Sequence, residues 1–541
     1  MKKQRILSLL IVMVLCCSFV FTGCSSDSAG EDETETAVQE TTSKEAVKSD
    51  KILTIGTPQS SASLDPTNGY DYWYLVRYGV CETLMGFNED MTPYGWLLED
   101  DYELSEDQLT WTFKLREGIT FSSGKELTAE DVKACLERTL KDTTIASTYL
   151  QCESINADGL TLEITTKELT PTLPYLLADP VFVIYDTSED LTNAADNGVV
   201  GTGPFVVKSF DVTTGDTSVV RNENYWNGDV KLGGIDFKII KDTATLNLSL
   251  QTGEIDAAYS LDTADVGNYE NSDDFYLETS PSGRTTFSFM NQNGVLKDQN
   301  LRQAIMMACD RETYCSSLLQ DMFVPGKTPL TSSLPYGYDE LNDVNAYDPE
   351  GAAKILDEAG YVDTDGDGYR EQPDGKPLTI TLTNYNARAE IPLLSQAMQS
   401  DCQAIGIHIE LNTVDQESAW NMLTTGEYDM VMMSISLASS GDPETGLRSY
   451  FMSYDEENPN YNLSGYSNEE VDTLLKDLSV EFDTDKRIEI VKEIEQILMD
   501  DSACFYLCYP IMNFGVRADV TGVTSHTSDY YWVSADTGFT E

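Results

Sequence analysis

The feature that most restricts the fold is a repeated switch between two hydrophobic periods. Leu109, Trp111, Phe113 and Leu115 alternate with Thr110, Thr112 and Lys114, the period-two pattern of a half-buried strand. A Ser122-Ser123-Gly124 turn follows, and then Thr128 with Asp131 three residues on, the two halves of a capping box. Val132, Cys135 and Leu136 give the helix behind that cap its apolar stripe. Leu160, Leu162 and Ile164 return to alternation, as do Ile405, Ile407, Ile409 and Leu411. Ser467 with Glu470 is a second capping box, ahead of Val471, Leu474, Leu475 and Leu478 at helical spacing, and Val491, Ile494 and Leu498 repeat that spacing. Strands and helices interleave along the whole chain, so the fold class is α/β. No internal repeat is visible.

At 541 residues, against ~100–200 per domain, the chain has several domains. It carries 34 Lys and Arg against 92 Asp and Glu, a net charge of −58. That balance excludes nucleic acid as a partner, because phosphate binding needs clustered cations. It also opposes docking on anionic lipid through the protein surface.

The first segment sets the compartment. Lys2, Lys3 and Arg5 precede an apolar run from Ile6 to Phe21, and small residues lead to Cys24. The run has 16 residues, short of the ~20 that span a bilayer, and reads as a signal peptide over 1–23. The Phe21-Thr22-Gly23-Cys24 ending resembles a bacterial lipobox, which implies that Cys24 is the lipidated N-terminus of the mature protein. Residues 24–50 are polar, acidic and free of aromatics, and are expected to be a disordered tether. Eight cysteines remain after Cys24, none in a CxxC, and are expected as buried small apolar residues. Cys504 and Cys508 are the pair near enough in sequence to consider for a bridge.

No catalytic constellation holds. Gly201-Thr202-Gly203-Pro204 lacks the third glycine of a dinucleotide loop, and no GxSxG, Walker A or HExxH segment is present. The two histidines, His408 and His526, have no ligand set beside them. The chain is not expected to be an enzyme or to hold a cofactor. Asp363, Asp365 and Asp367, with Gly368 after them and Asp374 at the twelfth position, match the start of a calcium loop. Pro373 and the missing glutamate oppose that reading, and an Asp/Gly turn explains the same residues.

Several stretches together resemble the family 5 extracellular solute-binding proteins, the peptide and nickel receptors of ABC importers. They include Val80-Cys81-Glu82-Thr83-Leu84, the segment from Leu109 to Val132, Gly201-Thr202-Gly203-Pro204-Phe205 and Arg221 to Trp226. Gly253 to Asp256, Leu301 to Ile305 with Asp310-Arg311, Ala352 to Tyr361, and Tyr428-Asp429-Met430 with Asp442-Pro443 continue the series in order.

The resemblance implies a two-lobed, periplasmic-binding-protein-like (type II) fold with an extra small domain in the first lobe. Lobe 1 would comprise 51–90, 200–285 and 505–541, with the extra domain at 91–199, and lobe 2 would comprise 286–504. Such receptors close on ligand by hinge motion. The implied partners are a peptide or small solute and the membrane subunits of an ABC permease. The implied location is the outer face of the cytoplasmic membrane, held there by lipid, as a monomer.

For the ligand, oligopeptide or dipeptide is the preferred class, since backbone hydrogen bonds supply affinity without one dedicated anchor. Peptide receptors of the family carry Trp and Asp after the Tyr-Asp-Met motif, whereas this chain has Ser434 to Gly441 with no acid before Asp442. Nickel-binding members place an arginine near position 180, where this chain has Asp179-Pro180-Val181. A nickel or other metal chelate, or another small solute, is the alternative on the same fold. A secreted hydrolase and a surface adhesin are the remote ones. By resemblance the cleft would be lined by Tyr70, Tyr72, Trp73, Tyr385, Arg388, Trp420, Ser439, Ser440 and Asp442, with Arg388 placed to pair with a ligand carboxylate.

Overall fold

The computed structural model describes residues 46–270, 272–456 and 460–540, all within the unit Lys44–Glu541. The expected signal segment 1–23, Cys24 and residues 25–45 lie outside the described residues. Residues 46–50, which composition assigns to the tether, are tied to the body instead. Val47 N–H donates to Phe539 O at 2.9 Å, Ser49 N–H donates to Lys231 O at 2.8 Å, and Arg221 pairs with Asp50 at 3.2 Å. Backbone pairing, to which composition is blind, fixes that boundary.

The fold is mixed α/β, built on one 12-stranded sheet in which ten strands form a continuous path and two more pair beside it. At one end, Ile52–Thr57 runs parallel to Gly234–Ile239 and to Ala257–Tyr259. At the other, Thr379–Tyr385 runs parallel to His408–Val414 and to Met430–Ser436. The helices Glu390–Ala404 and Gln416–Thr425 make those second crossovers. Each end is thus a βαβ layer.

The strand Cys504–Arg517, 14 residues long, joins the two ends. Its first part pairs with Arg284–Met290 and Phe323–Pro325, and its second part with Phe275–Pro281 and Ala257–Tyr259. The chain crosses between ends twice, at 281–284 and at 509–511. Pro281 and Pro510 lack an N–H, and Ser282 N–H to Pro510 O at 2.9 Å holds the two crossings together.

A separate four-stranded antiparallel sheet packs beside the first end, in the order Glu103–Leu104, Thr110–Lys114, Thr161–Thr166 and Cys152–Asp158. Trp111 faces Ile164 and Phe113 faces Leu162 across its middle, and all four are buried. Thr128 caps the helix Ala129–Asp142 through the reciprocal bonds that its spacing predicts. The second capping box forms differently. Asn468 accepts from the N–H groups of Glu470 and Val471, while Ser467 bonds Ser453. The amide oxygen of Asn468 reaches the free N–H groups one residue closer to the helix.

The family-like motifs hold the frame together. Glu82 is buried and accepts Tyr225 Oη at 2.8 Å and Trp226 Nε1 at 2.9 Å. A Cβ on Gly201 would lie 2.1 Å from Val80 O, so this glycine lets two backbones meet rather than cradling a phosphate. Arg302 donates to the carbonyls of Leu296, Lys297, Asp501 and Ser502. All eight described cysteines are free thiols, Cys504 and Cys508 included, and all but the half-buried Cys152 are buried.

Candidate functional site

In open α/β sheets, ligands meet the loops beyond the carboxyl ends of the parallel strands. Three such loops converge here. One follows Ile52–Thr57 and carries Tyr70, Tyr72 and Trp73. One follows Thr379–Tyr385 and carries Arg388, and one follows Met430–Ser436 and carries Ser439, Ser440 and Asp442. The crossing at 281–284 enters the same place, because Arg284 pairs in register with Ser436.

The floor is cationic. Arg284 is half-buried, and its Nη1 donates to Ser434 O at 2.8 Å. Burial and the neighbouring Arg388 push its pKa down to about 10. Neither arginine has a carboxylate within ion-pair distance among the described residues, and the Arg388 side chain has no hydrogen-bond partner there. Around them, the buried atoms Tyr385 Oη, Asn384 Oδ1, Glu390 Oε1 and Trp73 Nε1 have no partner among the described residues. Burial holds the Glu390 carboxyl above the usual range, with Arg388 and Arg284 opposing the shift. Buried polar groups are ordinarily bonded, so a cluster of unbonded ones marks where water or ligand sits.

The wall from the first end is aromatic. Arg77 pairs with Asp529 at 2.6 Å, and its guanidinium lies over Trp532 at 4.9 Å and Trp73 at 5.8 Å. Asp529 also accepts Tyr259 Oη at 2.9 Å and Trp532 Nε1 at 3.1 Å. Tyr70 is 56% exposed, and its ring centroid lies 5.1 Å from Trp73, while Tyr72 is buried behind them. Trp73 in turn lies 6.1 Å from Tyr530.

The loop after Ser436 closes against this wall. Tyr530 Oη donates to Ser439 O at 3.2 Å. Gly441 has φ +82°, and a Cβ there would lie 2.6 Å from Met91 O and 2.9 Å from the Tyr175 ring. Ser440 is half-buried between them.

Asp442, expected among the ligand contacts, is instead saturated within its own lobe. Its Oδ2 accepts Arg487 Nη2 at 2.6 Å and Nε at 3.1 Å, and its Oδ1 accepts Glu444 N–H at 2.9 Å. Both side chains are buried, so Asp442 shapes the loop rather than offering a free charge. Trp420 is half-buried on its helix and lies 5.8 Å from Tyr461, whose ring stacks on Tyr450 at 5.6 Å.

Sequence reasoning missed Arg284, Arg77, Asp529, Tyr259, Glu390 and Tyr530. A signal existed for the tail residues, because Asp529-Tyr530-Tyr531-Trp532 is an acid and aromatic run inside a Ser/Thr-rich stretch. The three aspartates at 363, 365 and 367 do come together on the surface. Asp363 accepts Gly366 N–H at 2.6 Å and Gly368 N–H at 3.0 Å, while Asp374 is turned to Lys376 at 2.6 Å. Among the described residues no helix is long and apolar enough to cross a membrane.

The chain is similar to known proteins over most of its length. The nickel-binding protein NikA of Staphylococcus aureus is 26% identical over 461 residues, covering 85% of this chain and 89% of that protein. The glutathione-binding protein GsiB of Salmonella paratyphi A is 26% identical over 514 residues, covering 91% and 93%. The crystal structure of a nickel ABC transporter protein from Bacillus halodurans superposes with a TM-score of 0.77 at 28% identity, covering 90% of this chain and 99% of that one. Residues 92–458 match the bacterial extracellular solute-binding proteins, family 5 Middle. With two βαβ ends joined by a shared strand and a cationic cleft floor between them, the chain belongs to the family 5 bacterial extracellular solute-binding proteins.

Proposed function

We propose that this chain captures short peptides in the cleft between its lobes and delivers them to the membrane subunits of an ABC importer. The observation that carries the ligand class is the pair Arg284 and Arg388, two guanidiniums with no carboxylate in ion-pair contact among the described residues of a protein of net charge −58. A planar carboxylate meets such a fork with two parallel hydrogen bonds. The unpartnered polar atoms of Asn384, Tyr385 and Trp73 would meet peptide amide groups. The glutathione-binding relatives support this class.

A chelate whose carboxylates hold a metal is the second reading, favoured by the nickel-binding relatives and by the same arginines. In that case the chelator would supply the metal's ligands, because neither histidine is among the floor residues. His408 lies against Tyr369 at 4.6 Å and His526 against Tyr531 at 4.9 Å.

We read lobe 1 as 51–285 with 505–541, the extra domain as 91–199 and lobe 2 as 286–504, with strand partners changing within 281–284 and 509–511. The receptor works as a monomer with no catalytic step, lipid-anchored through Cys24 on the outer face of the membrane. The Asp363 loop is read as a turn, since backbone N–H groups occupy its carboxylates.

Native mass spectrometry of the protein purified from a rich-medium culture, followed by denaturing release, tests the ligand class. A ladder of short peptide masses is the expected result. A single metal-containing mass would replace the peptide reading with the chelate one.

A further inference from the structure

The floor explains how the cleft would take an anion. A second group, on the aromatic side of the cleft, calls for a cation. Asp179 is 3% exposed, between the short helix Leu173–Leu176 and the turn Pro180–Phe182. One carboxylate oxygen accepts Val181 N–H at 2.9 Å. Among the described residues no lysine, arginine or histidine lies within ion-pair distance of it, and its second oxygen has no hydrogen-bond partner. A buried carboxylate without a cation is costly, and proteins keep one where something else meets its charge.

The turn that Asp179 opens packs against the helix Tyr72–Arg77 and the helix Thr144–Tyr149, which bring Tyr72 and Tyr149 to it. Burial, and next the Asp179 charge, push up the hydroxyls of Tyr72, Tyr149 and Tyr530. Those rings are continuous with the cleft wall. Tyr72 lies 6.1 Å from both Tyr70 and Trp73, and Trp73 lies 6.1 Å from Tyr530. Tyr530 bonds Ser439 of the opposite lobe, so these phenols lie where the lobes meet. Aromatic faces attract ammonium groups through the ring quadrupole, worth ~0.5–2 kcal/mol per contact, and a bound cation would hold the carboxyl behind them in its charged form.

We propose that Asp179, with the rings of Tyr70, Tyr72, Trp73, Tyr149 and Tyr530, forms a subsite for the ammonium group of the ligand. The subsite rests on the reading of the cleft as the solute site, and deepens it. A ligand that is cationic at this wall and anionic at the Arg284–Arg388 floor is a zwitterion, the charge pattern of an unblocked peptide. Burial holds the Asp179 carboxyl up at about 7, the condition of an acid that has no cation beside it. The sequence position carrying this charge is not the loop after Met430, where an acid was sought and is missing.

The Asp179→Asn variant keeps an oxygen for the Val181 cap and removes the charge, so it is expected to fold with an unchanged melting temperature. Tetramethylammonium chloride at tens of millimolar, followed by saturation-transfer NMR, probes the subsite alone. Transfer to the wild-type protein that disappears in Asp179→Asn is the expected result. Absence of transfer to wild type, or equal transfer to the variant, overturns the subsite.

A second measurement uses tetrapeptide libraries with free and with N-acetylated amino termini, read by native mass spectrometry. Wild type is expected to favour the free library at least 10-fold, and Asp179→Asn to lose that preference. Arg388→Ala is expected to weaken binding but keep the preference. Equal binding of both libraries by wild type overturns the proposal. Tetramethylammonium transfer with no binding of either library leaves the ammonium subsite standing and removes the peptide reading.

Discussion

Two arginine sites, built from the same residue type, have opposite fates. Arg487 lies beneath the loop after Ser436, buried, with Asp442 Oδ2 of that loop at 2.6 Å and Glu481 O, from the turn before its own helix, at 2.9 Å. Arg284 and Arg388 stand at the cleft floor with one carbonyl hydrogen bond between their two guanidiniums. A buried cation whose acid is in the same lobe is architecture. A cation with no carboxylate in ion-pair contact among the described residues, in a chain with 92 acids, is free to pair with a group from outside the chain. Charge type alone therefore says little about function, whereas the accounting of partners says a great deal.

The strongest test of that contrast is removal of the paired cation. Arg487→Ala leaves Asp442 charged and buried, and is expected to cost about 3–5 kcal/mol of stability, seen as a clear fall in melting temperature. An unchanged melting curve would break the distinction between the two sites. Removing the unpaired cations should do the reverse. Arg388→Ala and Arg284→Ala are expected to leave the melting temperature of the unliganded protein unchanged. Each should lower affinity for the natural ligand ~10- to 100-fold, or about 1.5–3 kcal/mol, by isothermal calorimetry. Full affinity in Arg388→Ala would end its role as a carboxylate anchor.

A third variant separates the floor from lobe closure. Gly441→Ala touches neither arginine, yet its Cβ would meet Met91 O at 2.6 Å from a backbone of φ +82°. Strain of ~1–3 kcal/mol on the closed form is expected to lower affinity about 10-fold, with wider dimensions by small-angle scattering.

The smallest effect sharpens the stability side. Burial holds the Glu495 carboxyl at about 8 against an ordinary 4.5, with Leu330 N–H donating to it at 3.2 Å. The folded protein thus binds this proton more tightly than the unfolded chain. Its contribution is full below pH ~4.5 and is lost as pH rises through about 8. Glu495→Gln is expected to flatten the decline of melting temperature between pH 5 and 8 by about 2 °C. An identical slope in parent and variant would show that the carboxyl ionises freely.

The hydrophobic periods made the frame legible. The Trp111 and Phe113 alternation, the Thr128 cap and the Val471 and Val491 stripes all become the elements that their spacing dictates, because burial on one face of a strand or helix is a local demand. The cleft was legible in part. Tyr385 ends a parallel strand and Arg388 follows it, where the chain must turn beside the ligand space, while Tyr70 and Trp73 lie on the loop and short helix that follow another. Arg284 was hidden because its importance comes from a crossing that pairs residues 284 and 436, a long-range register that no local pattern carries. Asp442 misled for the same reason in reverse, since its partner lies 45 residues away on another helix.

The strand Cys504–Arg517 lends one half of its hydrogen bonds to each lobe. A protein hung this way can swing as two bodies and still melt as one. Fraying the seam from either side strips the other lobe of its central strand, so the lobes share a single cooperative fate on heating. Mobility and integrity are then governed by different bonds. Opening bends the few residues between Pro281 and Arg284 and around Pro510, while survival depends on a ladder that opening leaves intact. Selection is thereby free to loosen the swing for faster release of cargo without thinning the margin that keeps the receptor folded outside the cell.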